Sequence, residues 1–318
     1  MNRGKRSLGQ GAEGIIEEIK KDVERGSAEL AVRAIDAFIA LADALRVDSA
    51  EELKRSVIML ARQIADSRPS MFSLRNVAFE VAVKFVEASR YVDNPQILKE
   101  LLKQIATTVF EEYRVALERL RRFGRDLLSG FSSVATLSYS STVLAVLKEV
   151  GKKVKVYVAE SRPLFEGRKM AAALAESGIE TVLTTDAAIG YMLKEADAAL
   201  VGADSILMNG SFANKVGTLQ LACTSKFLGK PFYVISTTWK ALPTLEYSEE
   251  EHAAEEVLPA EVPPIQKIKV RNPYFEVVPA ELVTAYITEE GVLKPSQIVE
   301  LIEARLKKYR ELEKIVYG

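Results

Sequence analysis

The stretch from Gly202 to Thr218 concentrates residues that could bind a small molecule: an acid, Asp204, two amides that include Asn214, one lysine, Lys215, and three glycines. It follows the apolar, strand-like run 198–201 and precedes an apolar helical run. Parallel α/β sheets bind ligands beyond the carboxyl ends of their strands, where glycine lets the backbone come close and a helix N-terminus offers free N–H groups to anions. Lys215 would add a positive charge there. The pattern therefore predicts a site for a phosphorylated or otherwise anionic small molecule.

The same residues also admit a purely structural interpretation. Asp204 could cap the start of a helix, and Asn209-Gly210 could simply turn the chain. Aspartate, asparagine and glycine are the residues that turns favour. The residues alone leave both interpretations open.

The elements that would position this stretch begin after Gly130, where the hydrophobic period shortens. Short β-rich runs alternate with helical stretches, which predicts an α/β fold with a mostly parallel, doubly wound sheet. The long segment from Leu245 to Asn272 is acidic and proline-rich, and we expect a solvated excursion there. The predicted strands are Val134–Leu137, Val154–Val158, Thr181–Leu183, Ala199–Val201, Phe232–Ile235 and Ala285–Ile287.

The part of the chain before this sheet has helical periodicity from Gly14 to about Leu128. Ser49 begins a capping box, and Asn94-Pro95 is typical of a helix start. We therefore expect a helical domain over residues 1–128 and a Rossmann-like α/β domain over residues 129–318. One predicted buried face comprises Leu30, Ala34, Ala37, Phe38, Leu41 and Leu45, and a predicted solvated basic run comprises Arg119, Arg121, Arg122 and Arg125.

Composition excludes several classes of protein. The 318 residues hold 43 Lys and Arg against 44 Asp and Glu, so the net charge of -1 gives no global reason to bind nucleic acid or membranes. Neither a phosphate-binding lysine loop nor a G-x-G-x-x-G turn is present, which argues against nucleotide triphosphatases and dinucleotide enzymes. The single cysteine, Cys223, excludes an internal disulfide, and its helical spacing among apolar residues predicts burial. We expect a cytoplasmic protein.

Seven short segments along the chain form an ordered set of motifs. They are Arg25–Ser27, Ser67–Ser70, Glu160–Pro163, Gly202–Asp204, Asn214–Thr218, Asn272–Pro279 and Ile287–Gly291. Taken in order, they resemble the initiation factor 2B alpha/beta/delta family, whose superfamily also holds archaeal ribose-1,5-bisphosphate isomerase and methylthioribose-1-phosphate isomerase. The resemblance implies a helical N-terminal domain on a Rossmann-like domain, an anionic-ligand cleft between them, and homodimers or higher oligomers.

The resemblance also implies a catalytic pair and shows a departure from it. The isomerases use a cysteine and an aspartate on opposite sides of a sugar phosphate. Asp204 stands at the position of the aspartate, but Ser138 stands at that of the cysteine. A thiol has a pKa near ~8.5 and exchanges protons near neutrality, whereas a serine hydroxyl needs an adjacent base. The one histidine, His252, lies in the acidic excursion, which we expect to be remote.

Other positions match residues that hold or approach phosphates and sugars in the family. Arginine forks and lysine charges suit phosphate. Trp239, which directly precedes Lys240, is expected to pack in the core and not to line the site. The ligand-binding positions that the resemblance implies are Arg25, Gly26, Arg68, Ser140, Arg162, Asn214, Lys215 and Lys240.

The leading hypothesis is an archaeal-type initiation factor 2B-like regulatory subunit that binds a sugar phosphate or nucleotide without isomerase activity. We expect no direct contact with nucleic acid or membranes, and initiation factor 2 is the expected protein partner. The alternative is an aldose-ketose sugar-phosphate isomerase that works through Asp204, and a third hypothesis is a structural scaffold. No cofactor or metal is expected.

Overall fold

The computed structural model describes residues 10–22, 25–44, 49–68, 71–242, 245, 247, 251–258 and 269–304. Contacts divide the chain into two compact units. The first takes the described residues as far as Ala116, together with Trp239–Ala241 and the helical residues from Glu303. The second takes Leu117–Thr238 and Leu242–Ile302. The expected positions Leu45, Pro69 and Ser70 lie outside the described residues.

The first unit is built from helices, as the periodicity predicts. Ser49 accepts a 3.2 Å hydrogen bond from the N–H of Glu52, and the side chain of Asn94 accepts from the N–H groups of Gln96 and Ile97 at 2.9 and 3.2 Å. Both predicted helix starts are therefore confirmed. The helices are α1 Gln10–Lys21, α2 Ser27–Ala44, α3 Ala50–Ser67, α4 Phe72–Ala88 and α5 Pro95–Leu128. The described members of the predicted apolar face of α2 are fully buried.

The second unit contains a seven-stranded sheet in the order β11-β10-β7-β4-β1-β2-β3. All neighbours in it pair parallel except β10 and β11, so the predicted α/β fold is confirmed. Its strands are β1 Ser133–Leu137, β2 Lys155–Ala159, β3 Thr181–Thr184, β4 Ala198–Gly202, β7 Phe232–Ile235, β10 Ala285–Thr288 and β11 Gly291–Leu293.

Helices cover both faces of this sheet. On one face, α6 Ser141–Val150 and α7 Glu166–Glu176 pack on Val134, Val156 and Leu200 in a continuous core. Alternate strand residues point to the opposite face. There, α8 Ile189–Met192 and α9 Thr218–Phe227 contact β2, β4 and β7.

A second, antiparallel sheet was not predicted. It pairs β5 Ser205–Leu207 with β6 Phe212–Lys215, and β6 with β9 Phe275–Val278. The two-residue strand β8, Ala241–Leu242, follows β7, and residues 295–304 are helical. Asn214 and Lys215 therefore lie on a buried strand.

Three smaller predictions have different outcomes. Cys223 is exposed, so its predicted burial is wrong: α9 turns Leu221, Ala222 and Ser225 inward and leaves Cys223 outside. Trp239 is buried, as predicted, and meets Tyr113 edge-on with ring centroids 5.4 Å apart. The basic run at the end of α5 is exposed except for half-buried Arg121. No helix in the described ranges is both long and apolar enough to span a bilayer.

Candidate functional site

The candidate site lies at the carboxyl edge of the parallel sheet, where β1 and β2 end. Ser138 and Ser161 follow these strands, and both have left-handed backbones with φ of 64° and 62°. The N–H of Ser138 donates a 2.6 Å hydrogen bond to the hydroxyl of Ser161. Left-handed conformations cost energy for residues other than glycine and persist only where the surroundings fix them. The position of Ser138 is therefore defined by its neighbours.

The loop after β2 is tied down by an acid that the sequence did not reveal. Asp186 accepts the N–H groups of Ser161 and Arg162 at 2.7 and 2.8 Å, one on each carboxylate oxygen. The guanidinium of Arg162 donates to the main-chain oxygens of Glu256 and Val257 at 3.3 and 3.2 Å. Arg162 is thus half-buried and bonded within the second unit.

No base in the described part of the chain is hydrogen-bonded to the Ser138 side chain. Its only described hydrogen bond is made by its main-chain N–H, so no imidazole or carboxylate of the described residues is bonded to its hydroxyl. A serine hydroxyl becomes a nucleophile or acid–base group only through an adjacent base. Within the described ranges, Ser138 therefore has no hydrogen-bonded partner of this kind.

Ser140 and Gly202 meet where β4 approaches the start of α6. The hydroxyl of Ser140 accepts the N–H of Val143 at 3.3 Å and caps the helix. A Cβ atom placed on Gly202 would lie 2.9 Å from that hydroxyl oxygen. Glycine is required here because any larger residue would collide with the cap.

Asp204 lies between β4 and β5, half-buried, and its N–H donates to Ala213 at 2.8 Å. A strand follows it, so the expectation that Asp204 caps a helix is wrong. Asn209-Gly210 does turn the chain between β5 and β6. Asn209 accepts the N–H of Ser211 at 3.0 Å, and Gly210 has a φ of 77°.

Lys215 carries the most buried positive charge among the candidate residues, at 4% exposure. Its Nζ lies 2.6 Å from Oε1 of Glu166, the first residue of α7. It also lies 4.2 Å from the ring centroid of Tyr274. Such a pair holds together because each charge compensates the other where water is excluded.

The N-terminus of α9 is likewise already bonded within the chain. The N–H groups of Gly217 and Leu219 donate to Oε1 of Glu276 on β9 at 2.7 and 2.9 Å. The side chain of Asn214 donates to Thr218 at 2.9 Å. The expectation that these N–H groups stand free for an anion is therefore wrong.

His252 contacts a neighbour of the candidate residue Lys215, since the Tyr274 ring lies against both. Its ring stacks on Tyr274 with centroids 3.4 Å apart. Glu256 accepts hydrogen bonds from the Tyr274 hydroxyl and from Asn272, the latter at 2.8 Å. The bond from Tyr274 lowers the pKa of Glu256, while burial, reinforced by Glu256, raises the pKa of Tyr274.

The first unit brings two of its four candidate residues together. The guanidinium of Arg25 lies 3.3 Å from the Asp22 carboxylate, and that of Arg68 donates to the Asp22 main-chain oxygen at 2.6 Å. Gly26 supplies the carbonyl that starts α2, accepting from Glu29 and Leu30 at 3.1 Å. Lys240 ends the short helical turn 238–240 and is half-buried.

Three important partners were missed by sequence reasoning: Asp186, Glu166 and Glu276. Each is an acid far along the chain from the group that it binds, so no local spacing marks it. Within the described ranges, no group of three or more His, Cys, Asp and Glu residues is arranged to hold a metal ion.

Comparisons with known proteins agree with this architecture. The family model described as Initiation factor 2 subunit family matches residues 23–295. The chain is 33% identical over 284 residues to the putative translation initiation factor eIF-2B subunit 2-like of Pyrococcus furiosus, over 88% of this chain and 95% of that protein. It is 31% identical over 297 residues to ribose 1,5-bisphosphate isomerase of Archaeoglobus fulgidus, over 91% and 92% of the two chains.

A solved structure is similar over the same extent. The crystal structure of translation initiation factor eIF-2B from Pyrococcus horikoshii OT3 has a TM-score of 0.74 and 30% identity, and the match covers 91% of this chain and 99% of that one. The named relatives thus include a translation-factor-like protein and a sugar-phosphate isomerase at nearly equal identity.

Proposed function

Because the chain belongs to the Initiation factor 2 subunit family, we propose that it is a regulatory-type member. In this proposal it binds a phosphorylated sugar or a nucleotide and does not isomerise it. One observation carries the proposal: a serine, Ser138, stands where the resemblance to the isomerases places the catalytic cysteine, and no base among the described residues is hydrogen-bonded to its hydroxyl.

The chemistry of isomerisation explains why this exchange matters. Converting an aldose to a ketose moves a proton between adjacent carbons and therefore needs groups that give and take protons near neutrality. A thiol does this with a pKa of ~8.5, whereas an unassisted hydroxyl does not. Loss of one positioned proton-transfer group typically costs about 10²–10⁴ in rate.

The proposed ligand binding is supported by charged and polar side chains in each of the two units. In the first unit, Arg25 and Arg68 converge on Asp22, and guanidinium forks suit phosphate. In the second unit, half-buried Asp204 follows β4 at the carboxyl edge of the sheet, where its carboxylate is suited to accept hydrogen bonds from sugar hydroxyls. Asn214 and Lys215 complete this set.

Protein partners are part of the same proposal. We expect a homodimer or higher homo-oligomer that contacts initiation factor 2, following the name of the 33% identical relative. Light scattering of the purified protein tests the first expectation, and co-purification with purified initiation factor 2 tests the second. A monomer that binds no initiation factor 2 would contradict this part alone.

The decisive experiment combines binding with product analysis. Ribose-1,5-bisphosphate, methylthioribose-1-phosphate and AMP are titrated by calorimetry, and the sugar mixtures are analysed for ketose. We expect at least one ligand to bind and raise the unfolding temperature, with no ketose formed. Ketose formation at ordinary enzymatic rates would overturn the proposal, and absence of any binding would favour a structural scaffold.

A second candidate function is an isomerase that works through Asp204. The 31% identity to ribose 1,5-bisphosphate isomerase favours it. In that case Asp204→Asn abolishes turnover while Ser138→Ala leaves it nearly unchanged. A wild-type protein without turnover on a panel of aldose-1-phosphates would eliminate this candidate.

A further inference from the structure

Lys215 is the most buried cation among the candidate residues, and it already has a counter-ion. Its Nζ is 2.6 Å from Oε1 of Glu166, and the Tyr274 ring covers another side at 4.2 Å. The second carboxylate oxygen, Oε2 of Glu166, is buried and has no hydrogen-bond partner among the described residues. One oxygen of Glu166 therefore neutralises the lysine, while the other remains an unused acceptor.

We propose that Glu166 is an internal counter-ion that competes with anionic ligands for Lys215 and so selects which ligand groups this part of the site accepts. The inference rests on the proposed ligand binding. A phosphate that binds Lys215 must share the lysine with this carboxylate or displace it, and both weaken phosphate binding. A hydroxyl group of a ligand can instead donate to Oε2 and leave the ion pair intact.

The surroundings of Lys215 strengthen this selection. The nearby N–H groups of Gly217 and Leu219, which would otherwise attract an anion, are held by Glu276. Glu256 accepts a hydrogen bond from the Tyr274 hydroxyl. Among the described residues, an incoming phosphate therefore meets the carboxylates of Glu166, Glu276 and Glu256, so the Lys215 end of the site favours the sugar hydroxyls of a ligand over its phosphate.

The test replaces the competing charge and measures the affinity for inorganic phosphate. Glu166→Gln keeps the shape and an oxygen acceptor for Lys215 but removes the negative charge. Calorimetric titration at constant ionic strength should show phosphate binding on the order of tenfold tighter than in wild type. The gain should disappear in the double variant Glu166→Gln/Lys215→Met, which lacks the lysine that attracts phosphate.

A matched control is available at the amino-terminal ends of β2 and β3 in the parallel sheet. Glu180 pairs with Lys155 at 3.0 Å on the surface, so Glu180→Gln makes the same charge change away from the site and should leave phosphate affinity unchanged. Equal affinity of wild type and Glu166→Gln, or an equal gain in Glu180→Gln, would overturn the inference.

Two further arms keep the result interpretable. If circular dichroism shows that Glu166→Gln is unfolded, Glu166→Asp replaces it, because its shorter side chain cannot keep the 2.6 Å contact with Lys215. A smaller gain in phosphate affinity would then support the inference, and no gain would overturn it. Sugar phosphates and AMP titrated into wild type test the proposed function separately. Their failure to bind, with a phosphate gain in Glu166→Gln, would reject that function and retain the counter-ion role.

Discussion

The N–H of Ser138 donates a 2.6 Å hydrogen bond to the hydroxyl of Ser161, which joins the ends of β1 and β2 at the candidate site. Both residues have left-handed backbones, and Ser161 is only 2% exposed. Ser138 is therefore held in place through its main chain by a neighbouring strand end.

Removing this acceptor should destabilise the protein. Ser161→Ala leaves a half-buried N–H without its partner, and we expect a loss of about 1–3 kcal/mol in the free energy of unfolding. Urea unfolding measures it. Ser177→Ala deletes a hydroxyl that bonds Ala173 at an exposed site and should change stability by about 0.5 kcal/mol or less. Equal losses in both variants would contradict the role given to Ser161.

Adding one methyl group at Gly202 should also be costly. The new Cβ would lie 2.9 Å from the Ser140 hydroxyl and 3.2 Å from its Cβ, so Gly202→Ala should lose about 1–3 kcal/mol of unfolding free energy. Ser140→Gly removes the obstacle, and glycine at a helix start costs only a few tenths of a kcal/mol. The double variant should therefore recover part of the loss.

Gly14→Ala is the control for this substitution. A Cβ on Gly14, in helix α1, would meet nothing within 4 Å. It should therefore leave stability unchanged or raise it by up to about 1 kcal/mol through helix propensity. If Gly202→Ala behaves like Gly14→Ala, or if the double variant recovers nothing, the collision with Ser140 is not the cause.

Acid should remove one stabilising contribution in the first unit. Hydrogen bonds from Arg33 and then Arg25 lower the pKa of Glu18 from 4.5 to about 2. A carboxyl with a lowered folded pKa stabilises the fold above its unfolded pKa and loses that contribution as pH falls through the folded pKa. The contribution of Glu18 should therefore fade between pH 4.5 and about 2.

Thermal unfolding across this pH window checks the expectation. Glu18→Gln should flatten the fall in unfolding temperature relative to wild type. Arg33→Met removes the largest cause, so NMR titration should find the pKa of Glu18 nearer its ordinary value. A Glu18 pKa that stays at about 2 in Arg33→Met would refute the assigned cause.

The parallel sheet could be predicted because its strands are continuous apolar runs separated by helical periodicity. The second sheet could not be predicted, because β6, Phe212–Lys215, is a buried strand that contains an amide and a lysine and so lacks an apolar pattern. Burial of Lys215 depends on Glu166, which lies 49 positions earlier (215 − 166) and leaves no local pattern. Short strands that carry charges are stabilised by distant partners, and sequence periodicity does not record these.

The candidate residues show the same limit. The family resemblance identified these residues but not their hydrogen-bond partners. Glu276 accepts hydrogen bonds from the N–H groups at the start of α9, and Asp186 accepts those of the loop after β2. Cys223 shows a different ambiguity. Apolar residues stand on either side of it in α9, so spacing alone did not decide which face of the helix turns inward.

Asn76, deep in α4, donates both hydrogens of its amide to the main chain of Trp239 and Ala241 at 2.7 and 2.8 Å. These acceptors belong to the helical unit, although the chain on either side of them belongs to the other unit. As the polypeptide leaves the ribosome, the helical unit thus lacks these two acceptors until residue 241 has emerged, after most of the parallel sheet. Cutting the gene at any one point therefore never yields the helical unit whole.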